Sequence, residues 1–196
     1  MSTSLSTRGE ARRDAVLRVA RDVLVEEGYD QFVLRRVAAR AEMKLGNLQY
    51  YFGTRDDLLE AVIRAEFERD LAALRVATDS PDDDLETSAR ALVRNWTTGA
   101  GSVFATLSLL AFHQERFRDL NREIYETFYG RLGVMIKRAA GKLPKAELAA
   151  RVRLITAILD GVAIQTHAAL GVGSDAQGEL LDRATVVVIE LASGRR

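Results

Sequence analysis

The densest group of side chains able to do chemistry in this sequence is Lys44-Leu-Gly-Asn-Leu-Gln-Tyr-Tyr-Phe52. Its apolar members Leu48 and Phe52 are four apart, the spacing that puts both on one side of a helical turn, against a core. Asn47 and Gln49 flank Leu48 and therefore point outward. An amide side chain offers a donor and an acceptor in one plane, which matches the edge of adenine in a major groove. Tyr50 and Tyr51 have hydroxyls that donate to phosphates and rings that stack on sugars. Gly46 has no side chain to hold the backbone away from a duplex. Arg55 opens a further helix, where the dipole disfavours a cation by roughly 0.3–1 kcal/mol. A phosphate from outside would complete it; pairing with Asp56 or Asp57 is the local alternative.

A second, looser group lies in the C-terminal two thirds. Trp96, Phe104, Phe112, Phe128 and Tyr129 are candidate walls of an apolar pocket, which also needs a few polar fixings. Asp160 interrupts the apolar run Leu154-Ile-Thr-Ala-Ile-Leu-Asp-Gly-Val-Ala-Ile164. A carboxylate there costs several kcal/mol to bury unless paired. It therefore has either a structural partner, such as an arginine or a cap, or a polar role in the pocket. His113, Gln165 and His167 are further polar candidates.

The elements that must position these groups are helical. Only Pro81 and Pro144 interrupt the 196 residues, and period-2 patterns are nearly absent, so the fold class is all-α. Val16, Val19, Ala20, Val23 and Leu24 give a first helix over about 10–27 one apolar face, and Gly28 ends it. A short helix follows over about 34–41, on Leu34, Val37, Ala38 and Ala41. After a tight break at 42–44 comes the short helix 45–51. Two short helices at this spacing form the unit that lays its second helix in a major groove. Thr54-Arg-Asp-Asp57 is a capping box with Asp in place of Glu, opening a long helix to about Thr78. Ser80-Pro81-Asp82-Asp83 reads as the next start, for a helix with Leu85, Ala89, Leu92, Val93 and Trp96 that ends at Gly99-Ala-Gly101. The stretch 102–113 is apolar nearly all round. Leu120, Ile124, Phe128, Leu132, Met135 and Ile136 define a helix ending near Gly141. The helix after Pro144, to about Leu170, has two apolar faces: Leu148, Val152, Ile155, Leu159 and Val162 on one, and Leu154, Ile158, Gly161 and Ala168 on the other. Two faces need two partners, a core and a second subunit. Leu180, Ala184, Val187, Val188 and Leu191 stripe the last helix.

Val37-Ala38…Ala41 followed by Gly46-Asn-Leu-Gln-Tyr-Tyr-Phe-Gly-Thr-Arg-Asp-Asp-Leu-Leu59 resembles the DNA-binding domain of the tetracycline-repressor (TetR) family, over about residues 10–60. The resemblance implies base contacts from Lys44, Asn47 and Gln49, phosphate contacts from Tyr50, Tyr51 and Arg55, and close approach at Gly46. Three positions depart from the family pattern. Glu42 stands where the turn usually has Gly and must accept the turn's backbone angle. Val33 replaces a capping Thr, and Gln49 replaces a common Tyr, which alters base preference. Arg8, Arg12 and Arg13 precede or open the first helix, and a flexible basic arm over 1–9 enters a minor groove or is simply part of a solvated charge cluster.

The domains expected are thus the arm 1–9, a helix-turn-helix domain 10–55, and a helical effector and dimerisation domain 56–196. Over the last of these only the architecture resembles the family. It implies a homodimer through helices 145–170 and 179–191, a double-stranded operator with half-sites about 34 Å apart, and a small-molecule effector that releases the DNA. Repression is the commoner outcome in the family; activation, or a need for a co-repressor, is the alternative.

Composition limits the other classes. Net charge is zero, and residues 1–55 carry a net +3 against −3 in the rest, too mild an asymmetry to argue nucleic acid by itself. There is no cysteine and there are two histidines, so disulfides, thiolate sites and a protein-only metal site are not expected, nor is a cofactor. Phosphate-loop, metalloprotease, di-iron and Gly-x-Ser-x-Gly motifs are missing, which argues against an enzyme. Gly171-x-Gly173-x-x-Ala176 follows a helix rather than a strand and is no dinucleotide motif. With no apolar run near 20 residues and no apolar signal core at the start, a soluble cytoplasmic protein is expected.

Overall fold

The computed structural model describes residues 7–78, 84–97, 100–167 and 174–194. In chain order the helices are α1 (Thr7–Glu27), a 3-10 turn (Tyr29–Gln31), α2 (Leu34–Arg40), α3 (Leu45–Tyr51), α4 (Arg55–Thr78), α5 (Leu85–Thr97), α6 (Ala100–Ala111), α7 (Glu115–Ala140), α8 (Lys145–His167) and α9 (Ser174–Ser193), with no strand among the described residues. Contacts divide the chain into Met1–Glu66 and Phe67–Arg196, a boundary inside α4 rather than at its start.

In the first unit, Val16, Ala20, Val23 and Leu24 of α1 are buried with Phe32, Val37, Ala38, Leu48, Phe52, Leu58, Leu59, Val62 and Ile63. Ion pairs brace this core at its edge. Glu27 takes Arg36 at 2.7 Å and Arg40 at 2.8 Å, and Arg40 also bonds Glu26. The Arg36 and Arg40 guanidinium groups hold the Glu27 carboxyl below its ordinary value. Arg21 reaches across to Glu66 at 2.8 Å, tying α1 to α4 where Glu66 is almost fully buried. α1 begins at Thr7, so residues 7–9, Arg8 included, belong to the helix rather than to the arm expected over 1–9; residues 1–6 lie outside the described residues. Arg13 packs over the Phe52 ring, 5.3 Å from its centroid.

The helix starts follow local chemistry closely. Thr54 Oγ1 accepts from the Asp57 backbone N–H at 3.1 Å, and Asp57 Oδ2 accepts from the Thr54 N–H at 3.0 Å, a complete capping box. α5 begins at Leu85 and is capped by Asp84, whose Oδ1 accepts from the Thr87 N–H at 2.7 Å. The start signal at 80–83 lies outside the described residues. α5 ends at Thr97 and α6 begins at Ala100, so a break falls where Gly99-Ala-Gly101 suggests one, with Gly101 in the first turn of α6; 98–99 lie outside the described residues. Gly141, at φ 75°, ends α7 where a side chain would be strained.

The second unit is a bundle in which α8 packs against α5, α6, α7 and α9, and α9 also against α5 and α7. Leu120, Ile124, Phe128, Leu132, Met135 and Ile136 of α7 are all buried. So are Val152, Ile155, Leu159 and Val162 of α8, the first of its two expected faces. α6 is not uniformly buried: Leu109 is 58% exposed.

Candidate nucleic-acid interface and helical-bundle cluster

α2 and α3 are joined by a turn in which the Ala41, Glu42 and Met43 N–H groups donate to the carbonyls of Val37, Ala39 and Ala38. Glu42 takes φ 50°, the left-handed conformation that glycine would adopt freely. The turn thus keeps its shape at a cost of roughly 1–2 kcal/mol, with Glu42 the lone non-glycine residue of positive φ among those described. Val33 precedes α2 in extended conformation and gives no side-chain cap, as its loss of a hydroxyl dictates.

Leu48 is fully buried and Phe52 nearly so, which fixes the rotation of α3. That rotation exposes Lys44, Gly46, Asn47, Gln49 and Tyr50 together, with Tyr50 72% exposed. Tyr51 is half-buried, and its ring meets Tyr50 edge-on at 5.3 Å. At Gly46 an added Cβ would meet nothing, so its small size serves no internal packing.

Arg55 has a partner that the sequence did not suggest. Its guanidinium lies over the Tyr29 ring, 3.9 Å from the centroid, and its Nη2 donates to the Tyr29 carbonyl. Its Nε is buried without a hydrogen-bond partner. Asp57 is engaged in the capping box. The only hint of Tyr29 in the sequence is an aromatic just after the helix-ending Gly28.

In the second unit the structure brings Trp96, Phe104, Phe128 and Asp160 together. Trp96 stacks on Phe104 with centroids 5.6 Å apart and meets Phe128 at 4.6 Å. Asp160 Oδ1 accepts from Trp96 Nε1–H at 3.0 Å, and Oδ2 accepts from the Tyr125 hydroxyl at 2.9 Å. Burial raises the Asp160 carboxyl above its ordinary value, and the bonds from Tyr125 and Trp96 hold back part of that rise. Burial, then the Asp160 charge, pushes the Tyr125 and Tyr129 phenols up as well, so both stay protonated. Tyr125, absent from the sequence-derived set, meets Tyr129 at 5.8 Å. A cavity of about 670 Å³ has Phe67, Leu71, Leu92, Trp96 and Phe128 among its walls.

Phe112, His113 and Gln165 stand apart from this cluster. Phe112 is 78% exposed and His113 exposed beside it, in the turn that follows α6, and Gln165 is exposed on α8. The end of a helix swings its side chains out of the bundle, which periodicity alone does not reveal. The His167 side chain lies outside the described residues. No cluster of metal-ligating side chains occurs among the described residues, and no described helix is long and apolar enough to cross a membrane.

Residues 16–62 match the family model of the bacterial regulatory proteins, tetR family. Over 186 residues the chain is 28% identical to an uncharacterized HTH-type transcriptional regulator in the dhlA 5' region of Xanthobacter autotrophicus, covering 92% of this chain and 90% of that protein. The fold of this chain is similar to that of a transcriptional regulator from Rhodococcus sp. Rha1, at TM-score 0.76 and 20% identity, over 92% of this chain and 97% of the other. A Saccharomonospora viridis protein described as a transcriptional regulator, solved in complex with choline, matches at TM-score 0.76 and 16% identity, over 91% and 95% of the two chains.

Proposed function

We propose that this chain, a DNA-binding transcriptional regulator of the TetR family, is a cytoplasmic repressor that binds a palindromic operator as a homodimer and is released by a small-molecule effector. The observation that carries the DNA-reading half is the exposed row of Lys44 just before α3 and Gly46, Asn47, Gln49 and Tyr50 on it, set by the burial of Leu48 and Phe52 behind it. In this reading Asn47, Gln49 and Lys44 address base edges, and Tyr50, Tyr51 and Arg55 address phosphates. Two copies place two such helices in successive major grooves, about 34 Å apart.

The effector half rests on the aromatic cluster and cavity of the second unit. That a protein of the same fold was solved in complex with choline supports a small-molecule effector for this fold. An effector releases DNA only if it binds the DNA-incompetent state more tightly than the competent one.

Selection from a random duplex pool tests the reading, with wild type and Gln49→Ala side by side. Wild type is expected to enrich an inverted repeat with half-sites one turn apart. Gln49→Ala is expected to lose preference at one base pair per half-site, worth about 1–3 kcal/mol. A pool that stays random at low salt would reject the operator reading; identical preferences for the two proteins would reject base reading by Gln49 alone.

A further inference from the structure

The corner between α7 and α8 concentrates positive charge that the fold itself does not use. Residues 131–153 hold seven lysines and arginines and a single acid, Glu147, in a chain whose net charge is zero. Lysine occurs only four times in the sequence. Three of the four, Lys137, Lys142 and Lys145, fall within nine residues here, and the fourth is Lys44 beside α3. The Gly141 N–H donates to the Lys137 carbonyl at 2.9 Å as α7 ends, and α8 opens at Lys145, so the three ammonium groups stem from one tight turn. All three residues are exposed.

Local chemistry accounts for only part of this charge. Lys137 and Arg138 lie in the last turn of α7, where a cation complements the helix dipole. Lys142 lies beyond that end, and Lys145 stands at the start of α8, where the dipole disfavours a cation. Glu147, the acid of that first turn, is held by Arg151 at 2.7 Å, and Arg151 also donates to the Leu191 carbonyl at 3.2 Å, which joins α8 to the end of α9. Among the described residues Lys137, Lys142 and Lys145 enter no ion pair; the pairs that brace the two units take arginine. Like charges gathered without a counter-charge repel one another, and an anion from outside relieves them.

The chemistry of the corner selects among anions. An ammonium is a compact, hydrated point charge, so it holds a phosphate backbone without reading sequence. Residues 131–153 include no aromatic, which leaves no ring for the bases of a single strand to stack on. A membrane surface needs several apolar side chains to insert beside the charge, and Val134 is the one exposed large apolar residue described on α7. None of the three lysines lines the cavity of the bundle.

We propose that the α7–α8 corner is a second duplex-binding surface, which holds the phosphate backbone of DNA through Lys137, Lys142 and Lys145 without sequence preference. It belongs to the unit Phe67–Arg196, whereas α3 belongs to Met1–Glu66. Its contribution is affinity and salt dependence, shared by every sequence. The proposal uses the DNA-binding assignment of the chain and not the palindromic-operator reading.

The full chain and its variant Lys137→Gln/Lys142→Gln/Lys145→Gln are titrated with a random-sequence duplex over a salt series. The slope of log affinity on log salt is expected to fall by about 2–3 in the variant, since each phosphate contact contributes about 0.9. A control, Arg118→Gln/Arg122→Gln/Arg183→Gln, removes the same charge from exposed positions on α7 and α9 and is expected to keep the wild-type slope. A slope unmoved by the lysine changes overturns the proposal. So does an equal fall in both variants, which traces the effect to net charge alone. Polyglutamate that competes with the duplex charge for charge at these lysines assigns the corner to an acidic protein segment and also overturns it. Should the lysine variant lose its helical signal, Lys142→Gln alone is measured, and a fall of about 1 or none decides. A chain that selects no operator yet shows the lysine-dependent slope keeps this proposal and loses the repressor reading; one that selects an operator with a slope indifferent to the lysines does the reverse.

Discussion

Asp160 shows what one buried residue can do to stability. Its unfolded value is the ordinary 3.8, and burial raises the folded value above that. The folded state therefore holds its proton more tightly, and charging the group disfavours folding. The resulting penalty is absent below about pH 3.8 and grows as pH rises through the folded value, above which it is complete. Asp160→Asn cannot charge, so its melting temperature is expected to exceed that of wild type at neutral pH, with the gap closing toward pH 4. A gap independent of pH would instead reflect altered bonds to Trp96 and Tyr125. From the sequence, Asp160 was legible as an anomaly in an apolar run, but its partners were not. Trp96 and Tyr125 come from two other helices, and no local pattern links positions 64 and 35 residues away.

At the scale of elements, the start of α4 joins local and non-local causes. The capping box of Thr54 and Asp57 was readable from four consecutive residues, because its bonds close within one turn. The seat of Arg55 on Tyr29 was not, since it depends on how the 3-10 turn after α1 folds back on α4. If Arg55 meets a phosphate, Tyr29 positions it. Tyr29→Leu keeps the carbonyl bond and removes the ring; it is expected to weaken operator binding by about 0.5–1 kcal/mol and to flatten the salt dependence, with Tyr29→Phe near wild type. Affinities measured across a salt series decide the matter. A lower melting temperature with unchanged affinity would make Tyr29 a packing residue only. Glu42 carries the same lesson: the resemblance put it at a turn position usually held by Gly, and the left-handed φ of 50° it takes there became visible only in the fold.

For the molecule as a whole, the outstanding feature is apolar surface on the second unit. Leu154 and Ile164 of α8 and Val186 and Val187 of α9 are exposed, while the opposite face of α8 is buried. Two apolar faces on one helix were anticipated from spacing, and the single chain satisfies just one of them. The exposed face fits the proposed two-fold contact, in which the same patch serves both subunits. Leu154→Glu would place a charge in that contact twice, and is expected to convert dimer to monomer in sedimentation equilibrium while the helical signal is kept. An unchanged dimer would move the interface elsewhere.

By itself the sequence determined much of what repeats or closes locally. This includes the all-α class, the burial of Leu48 and Phe52 behind an outward Asn47 and Gln49, the cap at Thr54, the end at Gly141 and the resemblance carried by residues 10–60. These follow from the 3.6-residue period and from bonds spanning a turn, which any chain with those residues must obey. Tertiary structure alone decided which aromatics meet, that Asp160 takes Trp96 and Tyr125, that Phe112 and His113 face outward, and that Arg55 rests on Tyr29. Each depends on the angle and register at which separate helices pack, and those are set by the whole core at once.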